Sequence, residues 1–175
     1  TYEIESERRG YALELAVDFV RMEYTRHRFW EKDDTPVVPL KSQTLEDVIG
    51  TWPQGKINVR IGDYMFRPHQ KWTITAVPDG GGYLGGPYYK IVIEGTNRAL
   101  AATANAEVVT VPEFTGAPEQ LWRIDQLTDG TYRIMPKEVP GTDKELVLVS
   151  VGDSTPSLGE FDMNSDNSKW NFRDH

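Results

Sequence analysis

A short motif with tryptophan as its third residue occurs three times in the chain, at nearly equal intervals. The copies are QKWTI at 70–74, QLWRI at 120–124 and SKWNF at 168–172. Each copy alternates apolar and polar side chains, which is typical of a short strand with one buried face. An internal repeat constrains a fold more than a local signal does, because every copy has to build the same structure. The sequence therefore predicts three similar repeats.

Two further markers recur with the tryptophan. A tyrosine precedes an isoleucine by two positions once in each repeat, in TYEI, YYKI and TYRI. Largely apolar stretches at 35–40, 106–111 and 155–161 form the other marker. In the last two repeats this stretch keeps a fixed distance from the motif, since Val109 precedes Trp122 by the same distance as Ser157 precedes Trp170. This agreement favours a repeated architecture over chance.

Repeat one is larger than the other two. The distance along the chain from Val38 to Trp72 is more than twice the corresponding distance in the other repeats. We therefore predict an insertion at about 41–69, between the third and fourth strands of repeat one. Residues 1–175 are predicted to form a single domain whose repeats span 1–77, 87–125 and 130–175.

Four short strands are predicted in each repeat, and the second strands are 11–19, 98–103 and 145–151. Residues 11–24 are ambiguous, because their alternation changes phase after Phe19, as at a bulge. The same residues also place Leu15, Phe19 and Met22 on one face of a helix. A short helix is predicted at 44–49, within the insertion. Twelve short strands in three sets indicate an all-β, barrel-like domain.

Composition excludes several classes of function. The chain carries 19 Lys and Arg against 27 Asp and Glu, a net charge of −8, and its basic residues form no run, so nucleic-acid binding is disfavoured. The absence of cysteine excludes disulfides, thiolate metal sites and cysteine nucleophiles. No apolar run approaches the roughly 20 residues of a membrane span. A cytoplasmic location is expected and secretion stays open, as does a removed N-terminal segment before Thr1.

Three four-stranded repeats that each end on a tryptophan resemble the β-trefoil fold. Gln70 with Trp72, and Gln120 with Trp122, match the QxW motif of ricin B-like trefoils, whereas Ser168 stands in the glutamine position of the third copy. The resemblance implies that each tryptophan fills the core and that each glutamine satisfies nearby backbone groups. The core markers predicted on this basis are Tyr2, Trp72, Tyr89, Trp122, Tyr132 and Trp170.

The acidic, cysteine-free chain also resembles fungal protease inhibitors of the mycocypin and cospin type, most clearly over residues 87–175. That resemblance implies a loop-based inhibitor that blocks the active-site cleft of a cysteine or serine protease, with a rigid scaffold presenting the loops. The loop residues predicted to contact the protease are Arg8, Arg9, Arg26, Arg28, Trp52 and Asn97. In the alternative interpretation the arginines and Asn97 are ordinary solvated turn residues, and Trp52 packs the insertion against the barrel. Protease binding and this structural interpretation both stay open.

Carbohydrate binding is the main alternative, and small-molecule binding is a further one. The resemblance to ricin B-like lectins implies sugar sites built from an Asp, an aromatic platform and an Asn or Gln. Candidate platforms are Trp52, Tyr83, Tyr88 and Phe114. No such constellation recurs in all three repeats, which favours the inhibitor over a lectin with three sites.

A calcium site is a weaker hypothesis. Asp162, Asn164 and Asp166 alternate like the start of an EF-hand loop. However, Asn167 replaces the glycine of that loop and Arg173 replaces its final glutamate. A turn explains the same residues equally well.

Catalysis is disfavoured by the residues available. The three histidines, His27, His69 and His175, are far apart in sequence and lie outside any metal-ligand motif. Neither a phosphate loop nor a Gly-x-Ser-x-Gly motif is present. We therefore predict a non-catalytic binding protein without a cofactor or resident metal, whose oligomeric state is open.

Overall fold

The computed structural model describes residues 1–8, 10–17, 45–83, 86–151 and 155–174. Within these residues the chain forms twelve strands and one short helix, α1 (Leu45–Gly50). The strands are β1 (Tyr2–Ser6), β2 (Ala12–Leu15), β3 (Ile57–Gly62), β4 (Trp72–Tyr83), β5 (Gly86–Ile93), β6 (Ala99–Ala102), β7 (Val108–Val111), β8 (Trp122–Gln126), β9 (Tyr132–Pro136), β10 (Val147–Val151), β11 (Thr155–Gly159) and β12 (Trp170–Asp174). The predicted short helix is confirmed. No described helix has the length and apolar character needed to cross a membrane.

The first and fourth strands of the repeats close into a six-stranded antiparallel barrel. Within repeats β1 pairs with β4, β5 with β8 and β9 with β12, and between repeats β4 pairs with β5, β8 with β9 and β12 with β1. The second and third strands form the hairpins β2–β3, β6–β7 and β10–β11. Pairing of β3 with β7 and a bridge between Glu107 and Ser157 join these hairpins. A closed six-stranded barrel with three hairpins is the β-trefoil arrangement, so the predicted fold class is confirmed.

The three tryptophans occupy equivalent positions in the barrel. Trp72, Trp122 and Trp170 are each fully buried. Each indole Nε1 donates to a backbone carbonyl in the second strand of its own repeat, at 2.9 Å in all three cases; the acceptors are Leu13, Leu100 and Leu148. A buried indole N–H without a partner costs about 1–3 kcal/mol, and each of these carbonyls removes that cost. The repeated motif thus ties the barrel to its hairpins three times.

The tyrosine markers lie beside the tryptophans but are half-buried, although they were predicted as core residues. Tyr2 pairs across strands with Trp72, Tyr89 with Trp122 and Tyr132 with Trp170. Two of the rings, those of Tyr2 and Tyr132, contact Phe172 edge-on. The isoleucine two positions after each tyrosine has no exposed surface, so the isoleucines Ile4, Ile91 and Ile134 fill the core instead.

The residue at the glutamine position of each motif fixes the loop that precedes it. Gln70 Oε1 accepts from Met65 N at 2.8 Å, and Gln120 Oε1 accepts from Thr115 N at 2.8 Å. In repeat three the shorter Ser168 donates its hydroxyl to the carbonyl of Asp162 at 3.1 Å. Buried polar groups need hydrogen-bond partners. A side chain at this position that bonds to the loop backbone satisfies both its own polar group and the backbone group of the loop.

The enlargement of repeat one lies between β2 and β3. Leu15 of β2 pairs with Val59 of β3, so β3 takes the third-strand position of the repeat. Val59 precedes Trp72 by the same distance along the chain as Val109 precedes Trp122, so the spacing of the other two repeats is kept. The insertion predicted at 41–69 therefore contains this strand, and the segment 35–40 predicted in its place lies outside the described residues.

Contacts divide the chain into two compact bodies. The trefoil body comprises Thr1–Ala16 and Gln54–His175, and the insert body comprises Val17–Pro53. All twelve described strands belong to the trefoil body, whereas α1 belongs to the insert body. The predicted repeat ranges stay predictions.

Candidate functional site

A polar cleft of about 750 Å³ opens beside the loop 137–146, which leads from β9 to β10. Tyr88 of β5 supplies its aromatic ring, and Met135 and Val139 supply buried apolar surface. The charged side chains that line this β9–β10 cleft are Arg123, Lys137, Glu138, Asp143, Lys144 and Glu145. The lining thus contains three cationic and three carboxylate side chains, so the cleft carries no large net charge.

The shape of the loop follows from its sequence. Val139, Pro140, Gly141 and Thr142 form a tight turn in which Thr142 N donates to Val139 O at 3.2 Å. Proline at the second position and a glycine with φ of 83° at the third are the residues that a type II turn requires. A second backbone bond, from Lys137 N to Leu121 O at 2.8 Å, ties the start of the loop to the residue before β8. The cleft wall is therefore held by backbone geometry.

Charged side chains on the strands orient the polar lining. Arg123 Nε lies 2.7 Å from Asp125 Oδ2, and the same carboxylate oxygen lies 2.7 Å from Arg133 NH2. The ammonium of Lys137 stands 5.2 Å from the centroid of the Tyr88 ring, within the range of a cation–π contact. Tyr88 and Lys137 belong to different repeats, and the pairing of β5 with β8 and of β8 with β9 brings them together.

A ring, hydrogen-bonding groups and balanced charge suit an uncharged polar ligand. Clefts of roughly 300–1,000 Å³ hold small ligands, and a few polar groups in them fix orientation. An aromatic ring offers its face to an apolar surface, while carboxylates accept and ammonium groups donate hydrogen bonds. The β9–β10 cleft has all three elements.

A smaller hollow of about 460 Å³ is lined mostly by residues of repeat three and includes two of the predicted site residues, Arg8 and Asp162. Its polar lining also includes Ser150, Ser165, Asn167 and Ser168. Ser150 and Ser168 are almost completely buried, and their hydroxyls bond to other protein groups. No aromatic side chain lines this hollow among the described residues, so it lacks the stacking surface of the β9–β10 cleft.

The other predicted loop residues are not brought together. Asn97 is exposed in the turn between β5 and β6, and its amide donates to Glu113 Oε2 at 3.2 Å. Trp52 is 7% exposed and belongs to the insert body. Arg9, Arg26 and Arg28 lie outside the described residues. Arg8 and Asn97 thus stay separate candidates.

The calcium candidates form a turn. Asp162 Oδ1 accepts from the backbone N–H of Asn164 at 2.9 Å, and the side chains of Asp162, Asn164 and Asp166 are exposed. In the part of the chain that the structure describes, no group of three or more acidic or histidine side chains is arranged to hold a metal ion. The hydrogen bond that Asp162 accepts from Asn164 is typical of aspartate in a turn, so the turn explains why aspartate stands at the start of the segment 162–167.

His69, the one histidine that the structure describes, is part of a buried polar cluster. Its Nε2 lies 3.0 Å from Glu14 Oε2, and it is 3% exposed. Gln70 Nε2 and Arg60 Nε also donate to the Glu14 carboxylate, at 3.2 and 3.0 Å. The cluster joins β2, β3 and the QxW motif of repeat one, and its position inside the fold fits a structural role.

The sequence predicts one residue of the β9–β10 cleft and not the others. Tyr88 was a candidate platform, but Arg123 and the loop 137–146 were not singled out. The Val-Pro-Gly-Thr turn is a recognisable signal for an ordered loop at this point. The side chain of Tyr83 is outside the described part of the structure, and Phe114 lies half-buried below Lys90, whose Nζ is 5.3 Å from the ring centroid.

Solved structures with the same fold include the designed threefold-symmetric protein ThreeFoil, at 18% identity and a TM-score of 0.62, with 99% of this chain and 98% of that chain covered. A mosquitocidal holotoxin aligns at 15% identity and a TM-score of 0.63, over 98% of this chain and 16% of its own. A GlcNAcα1-4Gal-releasing endo-β-galactosidase from Clostridium perfringens aligns at 14% identity and a TM-score of 0.58, over 98% of this chain and 31% of its own. The chain thus corresponds to only a part of these two larger proteins.

A match at the level of sequence families agrees with this fold. No curated protein sequence matches the chain. Residues 68–157 match the family described as ricin-type beta-trefoil lectin domain-like. The match covers slightly more than half of the chain and includes the first two QxW motifs, at Gln70–Trp72 and Gln120–Trp122. The chain belongs to the ricin-type β-trefoil lectin domain-like family.

Proposed function

We propose that this chain is a non-catalytic carbohydrate-binding domain and that the β9–β10 cleft takes a sugar unit. The observation that carries the proposal is the presence of Tyr88, among balanced charged groups, in an open cleft of a lectin-like trefoil. A pyranose ring has one apolar face and an edge of hydroxyls, which matches an aromatic ring surrounded by hydrogen-bonding groups.

Binding at Tyr88 involves an exchange of contacts. Lys137 is exposed and covers the ring from 5.2 Å, a contact worth about 0.5–1 kcal/mol at such a site. A sugar that stacks on this face displaces the ammonium from the ring, and the ammonium can then donate to a hydroxyl. The exposed carboxylates of Asp143 and Glu145 also line the cleft and offer acceptors.

The test begins with a glycan array on the parent protein and continues with calorimetric titration of the strongest ligand. We expect Tyr88→Ala to weaken the affinity at least about tenfold, since the stacking surface is lost. Phe114→Ala is the matched control, because Phe114 also lies under a lysine ammonium but outside the cleft. Absence of any glycan ligand contradicts the proposal, and an equal loss in both variants contradicts the cleft as its site.

Protease inhibition is a second candidate function. Its support is the exposure of Asn97 in a tight turn that contains Gly95 with φ of 77°, because an exposed turn side chain is accessible to a protease cleft. Stoichiometric loss of activity in a panel of papain-like, legumain-like and trypsin-like enzymes tests it. Asn97→Ala is expected to abolish inhibition of an asparagine-specific enzyme, and a panel left unaffected by the parent protein excludes this function.

A further inference from the structure

The aromatic ring of the β9–β10 cleft carries a side chain of the protein itself. The ammonium Nζ of Lys137 lies over the Tyr88 ring, 5.2 Å from its centroid. Both residues line the cleft, and Tyr88 is half-buried whereas Lys137 is exposed. The lysine side chain thus lies on the ring face on which a sugar would stack.

The backbone that carries this ammonium is fixed. Lys137 follows directly after β9, and its N–H donates to the carbonyl of Leu121 at 2.8 Å. Leu121 is buried, so the anchor lies at the edge of the core. The flexible methylene chain of the lysine connects the ammonium to this anchor. A tether of this kind gives the ammonium a high effective concentration at the Tyr88 ring.

A bulge in the β4–β5 hairpin lies next to the same ammonium. The pairing of β4 with β5 shifts its register between Val77 and Gly82. Gly81, within this bulge, has φ of 93°, and a Cβ at this position would lie 3.5 Å from Lys137 Nζ. Glycine is the residue that adopts this φ without strain. The hairpin backbone therefore stays close to the ammonium, beside the Tyr88 ring.

The same kind of contact occurs outside the cleft. Lys90 Nζ is 5.3 Å from the centroid of the Phe114 ring, and Arg133 Cζ is 5.1 Å from that of Phe161. Neither Phe114 nor Phe161 lines the β9–β10 cleft. Of these three cations, Lys137 is thus the one whose ring contact conflicts with a ligand in the cleft, and Lys90 offers a matched control.

We propose that Lys137 is an intramolecular competitor for the ring face of Tyr88 and thereby sets the affinity of the β9–β10 cleft for a sugar. This inference rests on the proposed carbohydrate function and adds a restraint on the same site. A sugar that stacks on Tyr88 has to displace the ammonium, so the cleft is competent to bind only in the fraction of molecules that lack the contact. A cation–π contact at an exposed site then lowers the observed affinity about two- to fivefold.

Two substitutions of Lys137 with opposite expected effects test the competition by calorimetric titration. Lys137→Gln removes the charge and keeps an N–H donor for a sugar hydroxyl, so we expect affinity for the strongest glycan ligand to rise about two- to fivefold. Lys137→Arg is expected to lower affinity, because a guanidinium stacks well on an aromatic face. Lys90→Gln, the matched control, removes the contact with Phe114 and is expected to leave affinity unchanged.

A measurement without glycan tests the contact itself. The ring current of Tyr88 shields the methylene protons next to the Lys137 ammonium, so we expect their NMR signal upfield of those of other exposed lysines. The signal is assigned by its absence in Lys137→Gln. Tyr88→Leu is expected to abolish the upfield shift, and saturating glycan is expected to reduce it in the parent protein. An unshifted signal in the parent protein overturns the competition, whatever its glycan affinity.

The outcomes separate this inference from the proposed function. Unchanged or lower affinity in Lys137→Gln, together with a loss in Tyr88→Ala, overturns the competition and leaves the cleft as the sugar site. A gain of affinity in Lys90→Gln equal to that in Lys137→Gln assigns the effect to overall charge and also overturns it. No glycan binding by the parent protein or by Lys137→Gln overturns both proposals.

Discussion

Glu14 shows how a single residue joins the repeated motif to the hairpin of repeat one. It is 5% exposed, and its carboxylate is bonded by His69, Gln70 and Arg60. Burial on its own raises the pKa of this carboxyl, but the hydrogen bonds and charges of His69 and Arg60 outweigh burial and leave it below its usual value of 4.5. Space around it is tight, since a Cβ on Gly62 would lie 2.6 Å from its Oε1.

The lowered pKa predicts loss of stability in acid. A carboxyl with a folded pKa below its unfolded pKa stabilises the fold fully above about pH 4.5, and this contribution is lost as the pH falls through the folded pKa. We expect the thermal unfolding midpoint of the parent protein to decrease as the pH falls below about 4.5. Glu14→Gln is expected to lower stability at neutral pH by about 2 kcal/mol and to flatten the acid dependence. Thermal unfolding between about pH 3 and pH 7 measures both effects.

Glu113→Gln is the control, because Glu113 is exposed and bonded only to the exposed Asn97 in the contacts described above. The stability of Glu113→Gln is expected to change with pH as that of the parent protein does, because exposed polar pairs contribute little to stability. If the stability of Glu14→Gln fell with decreasing pH as steeply as that of the parent protein, carboxyls other than Glu14 would dominate the loss of stability in acid.

At the scale of an element, the glutamine of the QxW motif stabilises the loop in front of the fourth strand. Gln120→Ser leaves Thr115 N without its acceptor, and we expect a loss of about 1 kcal/mol. Gln70→Ser is expected to lose more, because Gln70 also donates to the carbonyl of Asp63 and to Glu14. Urea denaturation measures both, and Gln126→Ser, at an exposed position, serves as the control. Equal losses at Gln70 and Gln120 would contradict the additional role of Gln70.

At the scale of the whole molecule, the trefoil body is expected to fold without the insert. Ala16 N donates to Asn58 O at 2.8 Å, directly beside the pair Leu15–Val59, so the ends of β2 and β3 are adjacent. All described strand pairs lie outside Val17–Pro53. Replacing Val17–Pro53 with a short Gly- and Asn-containing turn is expected to preserve one cooperative thermal transition and the near-ultraviolet signal of the three buried tryptophans. Loss of cooperativity would show that the barrel depends on the insert.

The sequence by itself determined the number of repeats and the fold class. Trp72, Trp122 and Trp170 mark equivalent core positions at a near-constant interval, and the alternation around them indicates strands, because both signals are local and depend only on spacing. The sequence also carries a strand signal for the third strand of repeat one, because Ile57, Val59 and Ile61 alternate with polar residues. The third strand of repeat one was predicted at 35–40, which lies outside the described residues, whereas β3 pairs with β2 in the third-strand position.

Only the tertiary structure decided which stretch pairs and which side chains meet. The partner of β2 is β3 because the register from Ala12–Gly62 to Leu15–Val59 buries the apolar face of both strands, a choice that composition cannot make. The β9–β10 cleft combines Tyr88, Arg123 and the loop 137–146 from two different repeats, and pairing of β5 with β8 and of β8 with β9 brings them to one place. Local spacing specifies elements, whereas a site depends on contacts between residues distant in sequence, which form only when the strands that carry them pair.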